Sequence, residues 1–88
     1  MAAIQFEIYK VLGSLTEGGR GMVKQLTCMS WGENAPKFDL RPWNDEYERM
    51  GKGVTLSLDE IKALRDILNE ADLDAILEES QAEFEESK

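Results

Sequence analysis

The sequence predicts a small α+β domain in which four antiparallel strands are followed by one helix. Up to residue 56, short strand-like runs are separated by turns that contain glycine or proline, and the first and third of these runs alternate apolar and polar residues. From residue 58 the apolar residues recur every three or four positions. The 88 residues suffice for one two-layer domain whose helix covers one face of the sheet. This domain is predicted to span residues 1–70, with residues 71–88 forming an acidic helical extension or a disordered tail.

The first two predicted strands are joined by a glycine-rich turn. Residues 4–12 read IQFEIYKVL, an alternation of apolar and polar side chains, and Gly13 marks a bulge or bend at their end. Gly18 to Gly21 has the composition of a hairpin turn, because glycine accepts the positive φ that such turns require. Residues 22–31 return as the second strand. Apolar side chains occur at both parities of that strand, so the pattern leaves the face of Trp31 open.

The third and fourth predicted strands flank a loop that ends in Gly-Lys-Gly. Residues 37–41 alternate without a fault, with the two apolar side chains on one face and the three charged side chains on the other. Pro42 is expected to stop ladder pairing or to mark a sheet edge, because proline has no backbone N–H to donate. The glycines of residues 51–53 free the backbone before residues 54–56, the short fourth strand.

The predicted helix begins with a capping box. Ser57 supplies the hydroxyl that caps the first turn, and Glu60, three residues further on, reaches back to the backbone N–H of Ser57. The apolar positions that follow form the stripe of an amphipathic helix. They are Ile61, Leu64, Leu68, Ala71 and Ala75. Beyond Glu70 the pattern weakens, although apolar residues at positions 73, 76 and 77 are consistent with a continued or restarted helix.

Charge and composition limit the classes of function that the chain can have. The formal net charge is −8, but seven bases balance seven acids within residues 1–57, so the acidic excess lies in residues 58–88, with eleven acids against three bases. Histidine is absent, which removes the commonest acid–base group and metal ligand. The single cysteine, Cys28, excludes an internal disulfide and is compatible with a reducing cytoplasm.

Neither an enzyme nor a membrane protein is expected. The sequence has no P-loop, dinucleotide fingerprint or metal-ligand spacing, so it predicts no catalytic residue, no metal and no cofactor. No apolar run approaches the ~20 residues of a membrane span, and the first residues lack the pattern of a signal peptide. A cytoplasmic protein, associated with the nucleoid if it binds DNA, is therefore expected.

Two motifs resemble a known family. KFDLRPW at residues 37–43 and MGKGVTLSLDEI at residues 50–61 are similar to the C-terminal domain of the transcriptional coactivator positive cofactor four, especially its small bacterial members. The likeness extends from Phe6 to about Asn69. It implies a curved four-stranded antiparallel sheet followed by a helix, a two-fold homodimer formed largely through the helices, and sequence-independent binding of single-stranded DNA on the exposed sheet surfaces. Residues 71–88 have no counterpart in the minimal domain, and the serine-rich regulatory arm of eukaryotic members is absent.

Six residues are predicted to bind nucleic acid. Binding of single strands needs cations that follow the phosphates and flat side chains on which bases stack, each stacked base contributing roughly 1–3 kcal/mol. The predicted site consists of Lys24, Trp31, Lys37, Arg41, Trp43 and Lys52. The resemblance places Arg41, Trp43 and Lys52 on basic or aromatic positions of the family's binding surface, whereas Trp31 and Lys37 align more loosely.

The same side chains also fit an ordinary folded sheet. Either tryptophan can be a core aromatic. Lys37 and Arg41 can form an ion-pair ladder with Asp39, and Lys52 can be a solvated turn residue. The residues expected to pack rather than to contact a ligand are Met29, Met50 and Cys28.

The leading hypothesis is a homodimeric single-stranded DNA-binding protein, with RNA as a further ligand, that acts in transcription or in handling opened DNA. A dimer is favoured because a domain of this size buries only about 60% of its unfolded surface. Duplex DNA is disfavoured because stacking needs unpaired bases. The alternative is a protein-interaction adaptor whose sheet face or acidic tail docks on RNA polymerase or another transcription protein. The tail is either a solvated helix end or a nucleic-acid mimic in which residues 72–86 compete for the basic face.

Overall fold

Four strands are followed by two helices in the structure, a computed structural model that describes residues 5–16 and 21–87. The elements are β1 Phe6–Ser14, β2 Met22–Trp31, β3 Lys37–Asn44, β4 Val54–Leu56, α1 Leu58–Glu70 and α2 Leu73–Glu86. The strands form one antiparallel sheet in the order β1-β2-β3-β4. The predicted α+β class and its antiparallel sheet are confirmed. The second helix, α2, is one of the alternatives that the sequence left open for the residues beyond Glu70.

β1 is irregular in the way that its glycine predicts. Its register against β2 shifts between Ile8 and Lys10 and again between Val11 and Gly13, so the predicted bulge or bend at Gly13 is confirmed. Of the predicted hairpin turn, residues 18–20 lie outside the described residues. Gly21 at its end has a φ of 79°.

The register of the strands defines one side of the sheet, here called the aromatic face. Residues paired across antiparallel strands point to the same side. Phe6 pairs with Trp31, and Val23 pairs with Trp43, so aromatic side chains from three strands share this face. The four most completely buried large side chains also lie on it: Trp43, Met29, Thr27 and Asp39. The sequence predicted that this face would be left to solvent or a ligand, and that expectation is wrong for its centre.

The opposite side of the sheet, here called the helix face, is covered only in part. α1 lies along β3 and β4, and together with Leu26 of β2 it lines an apolar groove. Leu26, Leu40 and Leu56, which share this face by register, are each half-buried. No residue of α1 is buried. The predicted amphipathic stripe therefore contacts the sheet but leaves much of its apolar surface exposed.

β3 continues through Pro42 to Asn44, so the expectation that Pro42 ends ladder pairing is wrong. The carbonyl of Pro42 accepts a hydrogen bond of 3.0 Å from the backbone N–H of Gly51. The amide nitrogen and carbonyl of one residue point to the same side of a strand, so the missing N–H of Pro42 also faces the segment at Gly51. The ladder between β3 and β2 consequently loses no hydrogen bond to the proline.

Both helices begin at a capping side chain. The Ser57 hydroxyl accepts a hydrogen bond of 3.2 Å from the Glu60 backbone N–H, and the Glu60 carboxylate accepts one of 2.8 Å from the Ser57 backbone N–H. The predicted capping box is thus confirmed. The Asp72 carboxylate caps α2 by accepting from the Ala75 backbone N–H at 3.1 Å.

α2 projects from the rest of the molecule. It makes no extended contact with the sheet or with α1 among the residues described. The radius of gyration is 16.5 Å, whereas a compact chain of this length has about 12 Å. Within residues 5–16 and 21–87, α2 therefore packs along neither the sheet nor α1.

Candidate nucleic-acid interface

The structure brings together most, but not all, of the six predicted site residues. Trp31, Lys37, Arg41 and Trp43 share the aromatic face through the register of β2 and β3. Lys52 lies in the segment that leads into β4. Lys24 pairs with Pro42 and therefore lies on the helix face, away from the four residues of the aromatic face. The prediction that Lys24 shares a surface with Arg41 is wrong, because its position in β2 has the opposite parity.

Arg41 is held by a buried carboxylate. Its Nε lies 2.6 Å from Asp39 Oδ1, and its Nη2 lies 2.9 Å from Asp39 Oδ2. The Thr55 hydroxyl donates a further hydrogen bond of 2.8 Å to Asp39 Oδ2. The Asp39 side chain has no exposed surface, and that of Arg41 is 15% exposed. Such a two-pronged ion pair fixes the guanidinium in one orientation and neutralises much of its charge.

The guanidinium of Arg41 stacks on Trp31. Its Cζ lies 4.6 Å from the centroid of the indole, a cation–π distance. Phe6 packs near the same indole, with ring centroids 5.8 Å apart. Trp31 remains half-buried, and so does Arg41. Together the two side chains form a flat group that is fixed by the sheet and still reaches its surface.

Trp43 is a core residue of the aromatic face. It is 1% exposed, because Phe6 and Tyr47 pack on it with centroid distances of 5.1 and 5.7 Å. The expectation that Trp43 offers its ring to a base is therefore wrong for a single chain, and the core-aromatic interpretation is correct. Its indole N–H, like that of Trp31, has no hydrogen-bond partner within the described ranges. Packing rather than hydrogen bonding thus fixes both indoles.

The loop after β3 forms the cover over Trp43. Asn44 Oδ1 accepts hydrogen bonds of 2.8 Å from the backbone N–H groups of Glu48 and Arg49. Tyr47, which lies between Asn44 and Glu48, has a φ of 56°, a left-handed conformation that is uncommon for a residue with a side chain. The Tyr47 hydroxyl donates a hydrogen bond of 2.8 Å to Gln25 Oε1. This loop therefore ties its tyrosine across the aromatic face to β2.

The Gly-Lys-Gly segment packs directly against β3. A Cβ at Gly53 would overlap the Cβ of Arg41 and the carbonyl oxygen of Leu40, and a Cβ at Gly51 would lie 2.9 Å from Pro42 Cγ. Only glycine allows this close approach. Lys52, between the two glycines, is exposed. The segment thus places an exposed cation beside the strand that carries Arg41.

Lys37 supplies a second exposed cation at the start of β3. It lies close enough to the N-terminus of α1 to influence Glu60. The hydrogen bonds from the Ser57 backbone and then the Ser57 side chain are the main causes that lower the pKa of the Glu60 carboxyl; burial opposes them, and the charge of Lys37 is the smallest contribution.

Sequence reasoning assigned no role to three residues that build the site. Phe6 and Tyr47 cover Trp43, and Thr55 completes the hydrogen bonding of Asp39. The parity of Thr55 relative to its strand neighbours was a usable signal, because alternate residues of β4 face alternate sides. No sequence signal indicates the left-handed conformation of Tyr47, which is not glycine or asparagine.

The structure also limits other kinds of site. Within residues 5–16 and 21–87, no group of three or more His, Cys, Asp or Glu side chains could hold a metal ion. None of the helices in that part of the chain has the length and apolar character needed to span a bilayer. Cys28 is a free, half-buried thiol on the helix face, and Met29 is completely buried, as predicted for a packing residue.

Fold and site define a class of protein: a small α+β domain whose sheet carries a packed aromatic centre, with Arg41 and Lys37 on the same face and Lys52 in the segment that leads into β4. No protein-family model matches the chain. Over 69 residues it is 42% identical to an uncharacterized protein of Treponema pallidum (strain Nichols), a match that covers 78% of this chain and 81% of that protein. The chain belongs to the same family as this treponemal protein.

Proposed function

We propose that the protein is a homodimer that binds single-stranded DNA, largely without sequence preference, at the edge of its aromatic face. The observation that carries the proposal is the stacked pair of Arg41 and Trp31, 4.6 Å apart, with exposed Lys37 and Lys52 on β3 and beside it. Guanidinium planes and indoles are surfaces on which unpaired bases stack. The two lysines supply mobile positive charge for the phosphates.

The buried side chains of the aromatic face support this role without touching the ligand. Asp39 orients Arg41, and Phe6, Trp43 and Tyr47 form a rigid layer beneath the edge. Because Arg41 and Trp31 are already held in place, a base that stacks on them does not have to immobilise their side chains first. The resemblance of residues 37–43 and 50–61 to the positive cofactor four domain supports the same ligand and a role in transcription or in handling opened DNA.

The dimer is part of the proposal. α1 and α2 expose large apolar side chains along their length, including Leu64, Ile67 and Leu73 at 37%, 63% and 58%. Contiguous apolar surface of this kind marks an interaction site. A second copy would cover it and bring two aromatic faces to one strand, which strengthens binding through effective concentration. Solution mass should then be twice the 10.0 kDa of one chain.

Titration of a fluorescent dT oligomer at several salt concentrations tests the proposal. Binding should weaken with salt, and Lys37→Ala or Lys52→Ala should each reduce the slope of log K against log salt by about 0.7, the value for one phosphate contact on a single strand. Lys62→Ala, at an exposed lysine of α1 outside the predicted site and the lining of the apolar groove beside α1, is the matched control and should leave the slope unchanged. Absence of binding at low salt, or equal effects of all three variants, would contradict the proposal.

A protein-interaction adaptor is the second candidate. The exposed apolar residues of α2, such as Ile76 at 52% and Leu77 at 58%, favour it, because an acidic amphipathic helix is a common docking element. Such an adaptor, docking on RNA polymerase or another transcription protein, would bind no dT oligomer. The titration therefore separates the two candidates.

A further inference from the structure

An apolar groove runs beside α1 on the helix face. It has a volume of about 270 Å³ and is lined by Leu26, Ile61, Leu64, Arg65, Leu68 and Asn69. α1 lies along β3 and β4, so the β1–β2 half of the helix face, next to this groove, has no described helix packed on it. The groove is the inner edge of a larger uncovered surface.

The uncovered half of the helix face is cationic. Lys10 and Lys24 lie on it by their register in β1 and β2, and both are exposed. Arg65 lines the groove, and its ion pair with Asp66 joins side chains that are 62% and 64% exposed, so it contributes little and leaves Arg65 available. Glu7 is the one acid among the described β1 and β2 residues on this side. The surface therefore suits an acidic, apolar partner.

α2 has these two properties. Leu73, Ile76 and Leu77 follow the spacing of one helix face and are 58%, 52% and 58% exposed. Ser80 lies three and four residues after Leu77 and Ile76, in the middle of the same stripe. The helix LDAILEESQAEFEE contains six acids and no base. Its apolar stripe matches the groove, and its charge matches Lys10, Lys24 and Arg65.

α2 does not occupy the groove of its own chain. Only Ala71 and Asp72 separate the two helices, and both are extended, with ψ of 135° and 92°. The residues that line the groove end at Asn69, in the last turn of α1, and none of them belongs to α2. The occupant of matching chemistry is therefore the α2 of another copy.

The exposed area of one chain is sufficient for an interface in which each copy binds the α2 of the other. The accessible surface of the chain is 7243 Å² for a mass of 10.0 kDa, about 2,000 Å² more than a compact monomer of this mass exposes. A standard interface buries about 800 Å² on each partner. We infer that two copies exchange their C-terminal helices, with α2 of each packed in the groove beside α1 of the other. This inference rests on the homodimer proposed above and identifies part of its interface.

Interchain disulfide formation tests the exchange in the full-length chain. Two differently tagged chains, both with Cys28→Ala, are mixed, one carrying Ser80→Cys in the α2 stripe and the other Leu64→Cys in the groove. Mild oxidation should join the two tags in one covalent species. Ala82→Cys, on the opposite side of α2, is the matched control for Ser80→Cys and should give at most about a tenth of that yield, because its side chain points away from the stripe.

Each alternative result overturns the exchange. A dimer by solution mass that forms no Ser80–Leu64 cross-link would retain the proposed dimer and refute the position of α2. If a chain that carries both Ser80→Cys and Leu64→Cys formed the disulfide only within itself, α2 would lie in the groove of its own chain. A monomer by mass would refute the exchange and the dimer together. Binding of the dT oligomer, measured on the unaltered protein, reports separately on the proposed function.

A second measurement uses the dissociation constant of the dimer. Leu77→Lys should raise it at least about tenfold, since a buried leucine is replaced by a charge facing Lys10, Lys24 and Arg65. Ala82→Lys introduces the same side chain on the other side of α2 and should change it less than about threefold. Equal effects of the two variants would show that the stripe is not buried in the dimer, and would overturn the exchange.

Discussion

The two faces of the sheet differ in how far one chain completes them. On the aromatic face, Trp43 and Met29 are 1% and 0% exposed and the buried Asp39 carboxylate is fully paired. On the helix face and along the helices, apolar side chains remain open to solvent, Ile67 by 63% and Leu73 by 58%. The comparison shows that a helix layer does not by itself locate the core. Here the face without a helix is the one that is packed.

The largest expected effect tests whether Trp43 anchors the aromatic face. Trp43→Ala should lower the free energy of unfolding by about 3–5 kcal/mol, because it removes a completely buried aromatic ring. Trp31→Ala, at a half-buried position of the same face, should cost no more than about 2 kcal/mol. Urea denaturation followed by circular dichroism, at one protein concentration, measures both. Equal losses would mean that the two indoles are buried alike.

Asp39→Ala should come next, at about 3 kcal/mol, because it leaves the largely buried guanidinium of Arg41 without its partner. Thr55→Val removes only the third hydrogen bond to the same carboxylate and should cost about 1 kcal/mol. The same denaturation series compares them. If Asp39→Ala were no worse than Thr55→Val, the ion pair would not be what fixes Arg41.

Gly53→Ala should cost about 2–3 kcal/mol, because the added methyl group overlaps the backbone of Leu40 and the Cβ of Arg41. Gly13→Ala is the matched control. Its Cβ would meet no atom within 4 Å, so its effect should stay below about 1 kcal/mol. Thermal unfolding of the two variants distinguishes them, and a harmless Gly53→Ala would show that the segment does not lie against β3.

Ser57→Ala should destabilise the protein by about 1 kcal/mol through loss of the N-cap of α1. Ser80→Ala removes a hydroxyl that bonds to the Ile76 carbonyl within α2, and alanine is the better helix former there, so it should be neutral or slightly stabilising. The free energy of unfolding of each variant gives the comparison. If Ser57→Ala were neutral, the cap would not be one of the interactions that determine where α1 begins.

The smallest expected effect is a pH dependence at the start of α1. Because folding lowers the pKa of Glu60 below its ordinary value of 4.5, the folded chain binds fewer protons at this group. Its contribution to stability is therefore present above 4.5 and is lost as the pH falls through the lower, folded value. Glu60→Gln should remove this part of the acid destabilisation, which urea denaturation of the variant and the wild type at several pH values measures. Coincident curves for wild type and Glu60→Gln would contradict the shift.

Local pattern sufficed for the elements of the fold. β2, β4 and the start of α1 lie where alternation, glycine punctuation and the capping box of Ser57 place them. These signals act over a few residues and do not depend on the rest of the chain. The prediction that Pro42 ends ladder pairing was wrong because strand pairing decides to which side of the strand its nitrogen points. A single sequence does not show that pairing.

The candidate site was less predictable because burial is a property of the whole face. The parity of Arg41 and Trp43 correctly placed them together, yet it could not show that Phe6, distant in sequence, and Tyr47, in the loop directly after β3, cover Trp43. Lys24 was grouped with them on charge alone, without its register. Asp39 was recognised as a possible ion-pair partner, but its complete burial follows only from the assembled sheet.

The most direct test of the proposed interface follows the indole N–H resonances of the two tryptophans, assigned with Trp31→Phe and Trp43→Phe, during addition of a dT oligomer. A base stacked beside Arg41 would shift the Trp31 resonance strongly and saturably, while that of buried Trp43 would move little. If neither resonance moved, or only Trp43 responded, nucleotides would not lie where the proposed interface places them.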